Sequence, residues 1–111
     1  MFCIYRYDGD IMQVLQENVE LSAGNKRLLK VHAAEVNATM KDLLLEQAHD
    51  IINEDPFIET TERADDYTTL IINVPDDFKS DIKAFCDRKE IKIRDFWVEC
   101  CKRILGDDYE S

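Results

Sequence analysis

The chain has 111 residues, room for one compact domain and no second independent core, so any repeat within it is expected to build one shared core. With 45% apolar residues, three Gly, two Pro and no run of 18 uncharged apolar residues, it reads as ordered and largely helical, which excludes a membrane-spanning helix. A net charge of −10 excludes nucleic acid and anionic membrane surfaces as partners unless the charge is segregated, and it is: residues 1–53 carry −3, 54–66 carry −5, 67–105 carry +1 and 106–111 carry −3.

The opening "MFCIYRYDGD" has neither the basic start nor the long apolar run of a signal peptide, so a cytoplasmic protein is expected. Its "FCIYRY" is β-prone enough for a short edge strand or arm, with no assignable task. A β-prone run follows at Val14–Leu21, and Ser22 stands where a helix begins, although Gly24 weakens that turn. Leu29, Ala33 and Val36 then form one fading apolar stripe, helix A. In the polar break "VNAT", Asn37 suits a left-handed C-cap and Thr39 an N-cap. Helix B starts near Met40 and turns Met40, Leu43, Leu44, Ala48 and Ile51 toward the core.

Residues 53–66, "NEDPFIETTERADD", read as a solvated acidic linker. The second strand is Thr68–Val74, ended by Pro75 at a helix N1 position, with Asp76 and Asp77 in the first turn where the helix dipole favours anions. Helix A′ carries the stripe Ile82, Cys86 and Lys89, "KEIK" breaks it, and helix B′ starts near Ile93 with Phe96, Trp97, Cys101 and Ile104 inward. An acidic tail, 106–111, closes the chain.

The two halves repeat. A shift of 53 residues aligns Leu21–Ile52 with Val74–Leu105 without a gap and matches Lys26 with Lys79, Lys30 with Lys83, Asp42 with Asp95, Glu46 with Glu99 and Ile51 with Ile104. Five identities in 32 positions are weak alone; the coincidence of the apolar positions makes the repeat credible.

Strand, helix, short turn, helix, worded "LLKVHAAEVNATMKDLLLEQA" and "VPDDFKSDIKAFCDRKEIKIRDFW", resembles the ribbon-helix-helix family of the Arc, MetJ and CopG type. The chain departs from that pattern at Asn37 and Glu90, where the family usually has Gly, and at Lys92, where it prefers Ser or Thr. The resemblance implies a mainly α fold with a short β-ribbon: two units, residues 11–52 and 67–105, pair their strands within one chain as a pseudo-dimer of a two-stranded antiparallel ribbon and four helices. Two chains that swap units are the competing geometry, and higher oligomers on DNA are compatible with either. It further implies a sequence-specific binder of double-stranded DNA, a transcriptional repressor or a plasmid maintenance or transfer factor.

With Leu70, Ile72 and Val74 inward, the base-reading set is Thr69, Ile71 and Asn73, with Gln16, Asn18 and Glu20 opposite. Backbone amides near Met40 and Ile93, helped by Thr39, Lys41, Lys92 and Arg94, are implied to hold phosphates. The acidic balance supports an alternative, a ribbon-helix-helix-like protein-binding module without DNA binding, antitoxin-like or offering its linker or tail to a basic partner.

No enzyme, cofactor or metal is expected. Cys3, Cys86, Cys100 and Cys101 lack metal-ligand spacing and read as reduced thiols, with Cys86 and Cys101 in the core and Cys100 a candidate for exposure and oxidation. His32 aligns with Phe85 beside the apolar stripe, as befits a packed, hydrogen-bonded histidine rather than a general base, and the three glycines are isolated and form no phosphate loop.

Overall fold

The computed structural model describes residues 14–62 and 65–109. The expected edge strand or arm near the start, and Cys3, lie outside the described residues. Elements follow in the order β1 (Val14–Ser22), α1 (Ala23–Glu35), α2 (Met40–Glu54), β2 (Tyr67–Pro75), α3 (Asp76–Lys89) and α4 (Ile93–Leu105), with a short 3-10 turn at Gly106–Asp108. Among the described residues the protein is therefore mainly helical, with one two-stranded antiparallel sheet and four helices.

β1 and β2 pair over their whole lengths, from Val14 opposite Pro75 to Ser22 opposite Tyr67. Paired residue numbers sum to 89 throughout, whereas repeat equivalents differ by 53, so among paired residues only Asn18 and Ile71 satisfy both relations. A local dyad of the ribbon passes through that pair. Strand alternation sends Val19, Leu21, Ile72 and Val74 into the core and leaves Gln16, Asn18, Thr69, Ile71 and Asn73 exposed on the other face.

The two units repeat down to their turns. Asn37 at φ 58° and Glu90 at φ 59° are both left-handed. In the first turn the Ala38 and Asn37 amides donate to the carbonyls of Ala33 and Ala34. In the second the Ile91 and Glu90 amides donate to those of Cys86 and Asp87, each position displaced by the same 53 residues. This is a Schellman closure built twice, once on Asn and once on Glu, a residue type that seldom adopts this conformation. Ser22 caps α1 by accepting from the Asn25 amide, 3.1 Å away. Pro75 stands one residue earlier than expected, as the last residue of β2 and the N-cap of α3, because the strand pairing extends through it.

The core lies between the ribbon and the helices, with Leu29, Leu44, Ala48, Ile51, Ile82, Phe96 and Trp97 nearly or fully buried. Helix α4 packs on α1, α2, α3 and β1. That central position corrects the expectation for Cys100: it is fully buried, and burial raises its thiol pKa well above the ordinary value. Burial likewise pushes the thiols of Cys86 and Cys101 up to about 12, so all three are protonated at neutral pH.

The connection between the units is exposed at most of its described residues, as expected of a solvated linker, but it is also tied to the fold. Ile58 is buried in the core at 4% exposure, and left-handed Asp55 pairs with Lys89 at 2.9 Å and Arg88 at 3.0 Å. Among the described residues no helix is long and apolar enough to cross a membrane.

Candidate nucleic-acid interface

The ribbon presents the expected side chains as cross-strand pairs. Gln16 lies opposite Asn73, Asn18 opposite Ile71 and Glu20 opposite Thr69, all on the face away from the helices. Ile71, 57% exposed, sits at the centre of this surface. Glu20 is half-buried and engaged within the fold.

A cleft opens on each side of the ribbon. The first, about 300 Å³, is lined by Lys26, Arg27 and Lys30 of α1, Met40 at the start of α2, and Thr68. The second, about 520 Å³, is lined by Lys79 and Lys83 of α3, Lys92 and Ile93 at the start of α4, and Gln16 and Asn18 of β1. Lys26, Lys30 and Met40 are the repeat equivalents of Lys79, Lys83 and Ile93, so the clefts are two copies of one feature.

Their electrostatics differ. Among the described residues no carboxylate lines the first cleft. In the second, Lys79 Nζ donates to the Gln16 carbonyl at 2.7 Å and stands 3.5 Å from Glu17 Oε1, while Lys83 pairs with Asp87 at 3.3 Å. Glu17 points inward from β1 and, 7% exposed, accepts a hydrogen bond from the Trp97 indole at 3.2 Å. Its repeat equivalent is Leu70 and that of Trp97 is Leu44, so this buried polar pair, which bridges the two units, is not repeated at the equivalent positions.

The helix starts implied as phosphate clamps also differ. At α2, Thr39 Oγ1 accepts from the Asp42 amide at 3.0 Å, and Thr39, Lys41 and Asp42 are exposed. At α4, Asp95 is 1% exposed and accepts three hydrogen bonds: from the Lys92 amide at 2.9 Å, the Thr61 amide at 2.8 Å and the Thr61 hydroxyl at 3.1 Å. Lys92, a donor only, cannot return the cap through its side chain. Arg94 donates to the Thr61 carbonyl at 2.8 Å, so its guanidinium is engaged with the linker. Ile93 and Met40 are half-buried beneath their clefts.

Sequence reasoning weighed Lys41, Lys92 and Arg94 and passed over Lys26, Arg27, Lys30, Lys79 and Lys83, which line the clefts. A signal for four of these was present: two of the five identities in the repeat are lysine pairs, which apolar packing does not require. Both histidines are spoken for, His32 Nε2 lying 3.1 Å from Asp108 Oδ2 and His49 stacking on Phe78 at 4.1 Å between ring centroids. Among the described residues no group of three or more His, Cys, Asp or Glu is placed to hold a metal ion. Comparisons with protein-family models, curated proteins and solved structures returned no match.

Proposed function

We propose that this is a tandem ribbon-helix-helix protein that lays its β-ribbon in the major groove of double-stranded DNA, as a cytoplasmic transcriptional repressor or a plasmid maintenance or transfer factor. The observation that carries this reading is the ribbon's exposed face, where Gln16, Asn18, Thr69, Ile71 and Asn73 stand in cross-strand register between two lysine-lined clefts. A two-stranded ribbon fits the major groove, and carboxamides can pair bidentately with adenine there. The cleft lysines fall where phosphates flank an inserted ribbon, and their neutralisation of phosphate charge supplies salt-dependent affinity. Thr39, Met40 and Lys41 form the open phosphate clamp; Lys92, Ile93 and Arg94 form the one beside the linker. The net charge of −10 is compatible with this because eight of the ten net negative charges belong to the linker and tail.

A titration of the full chain against a fluorescent duplex from its own upstream region and a scrambled duplex, at low and near-physiological salt, tests the reading. The expected result is tighter binding to the native duplex, weakening with salt and lost on Asn73→Ala. Absence of binding at low salt would sink it. That outcome favours the second reading, a protein-binding module, for which Phe57, 86% exposed in the acidic linker, is the supporting feature.

A further inference from the structure

The two clefts are alike in backbone and unlike in charge. Lys26, Arg27 and Lys30 line the first, and among the described residues none of these three side chains makes a hydrogen bond or ion pair. The second is lined by three cations as well, Lys79, Lys83 and Lys92, but also by Glu17 and Asp87. The described lining therefore carries a formal charge of +3 in the first cleft and +1 in the second. The 53-residue shift sets Glu17 against Leu70 and Asp87 against Ala34, so both carboxylates of the second cleft have apolar counterparts in the first.

The two carboxylates differ in what they do to their lysines. Lys83 and Asp87 form an exposed pair on one helix face, screened by water and readily parted by a competing phosphate. Glu17 is buried and held by the Trp97 indole, so it cannot follow its lysine outward. Lys79 is fixed between Glu17 Oε1 at 3.5 Å and the Gln16 carbonyl at 2.7 Å. Drawing Lys79 away to a phosphate would leave a buried carboxylate without its cation, a costly exchange.

We infer that the protein grips the DNA backbone mainly from one side. Lys26, Arg27 and Lys30 are its principal cationic phosphate contacts, and Glu17 is a positioning residue that withholds Lys79 from the phosphate on the other side. The inference rests on the DNA-binding reading above. Each phosphate neutralised by a cation adds about 0.9 to the magnitude of the slope of log affinity against log salt, so that slope counts the contacts made.

The probe is a duplex that the native chain enriches from a randomised pool, titrated with the full chain over a series of salt concentrations. Lys26→Gln is expected to flatten the slope by about 0.9, and Lys79→Gln, at the equivalent position, to leave it unchanged. Glu17→Gln keeps an acceptor for Trp97 while removing the charge, so it should steepen the slope by about 0.9, and adding Lys79→Gln to it should abolish that gain. Equal flattening by Lys26→Gln and Lys79→Gln, or an unchanged slope in Glu17→Gln with a native circular dichroism spectrum, would overturn the one-sided grip and leave DNA binding standing. Should Glu17→Gln fail to fold, the comparison of Lys26→Gln with Lys79→Gln decides alone. No enrichment of any duplex would overturn both.

Discussion

Helices α2 and α4 begin 53 residues apart after matching left-handed turns, yet their first turns meet different surroundings. In α2, Asp42 is exposed and the end is capped by Thr39 from within the turn. In α4, the equivalent Asp95 is buried, because Thr61 of the linker lies against it and donates two hydrogen bonds. The repeat thus sets the backbone alike in both units, but a chain that joins them needs one connection, and among the described residues that connection lies against the start of α4 and not that of α2. The same carboxylate is a surface charge in one copy and a structural anchor in the other.

Breaking this contrast should have effects in a definite order. Ile58→Ala, which empties the linker's apolar anchor, is expected to cost about 2–5 kcal/mol in urea unfolding, where a solvated linker would register nothing. Asp95→Ala removes the acceptor of three hydrogen bonds and is expected to cost about 1.5–3 kcal/mol, against roughly 0.5 kcal/mol or less for Asp42→Ala by the same measurement. Equal costs for the two aspartates would remove the distinction drawn here.

The turns sharpen the comparison in the opposite direction. Glu90→Gly relieves a left-handed Glu and should raise stability by about 0.5–1 kcal/mol, whereas Asn37→Gly should gain less because Asn tolerates that conformation. Thermal melts of the two variants distinguish them. The smallest effect belongs to Asp55, whose pKa is held below the ordinary 3.8 by its hydrogen bonds to Lys89 and Arg88. Its folded pKa is depressed, so its contribution is present above the unfolded value and lost as pH falls through the folded one. Asp55→Asn should therefore differ from the native chain near neutrality, and the difference should shrink as pH falls below 3.8, as followed by unfolding across that range.

Much of this was legible in the residues. Apolar periodicity located the strands and all four helices, and the shift identified the outward ribbon residues, because period 2 and period 3.6 survive wherever one face is buried. The linker's attachment was not legible: a single isoleucine in an acidic stretch has no period, and Thr61 reaches Asp95 across 34 positions. Nor was the burial of Cys100. An amphipathic stripe describes a helix with one wet side, whereas α4 is packed from several directions, so Val98 and Cys100 are buried beside the expected stripe. Glu17 escaped because the partner that satisfies it, Trp97, is 80 residues away.

The central claim is that the ribbon face, flanked by its two lysine clefts, is the binding surface. An amide NMR titration of the full chain with a selected duplex tests it most directly. The account predicts chemical-shift changes at Gln16, Asn18, Thr69, Ile71 and Asn73 and in the first turns of α1, α2, α3 and α4, with His49 and the acidic stretch around Phe57 unmoved. Changes confined to that acidic stretch, or none at low salt, would contradict it.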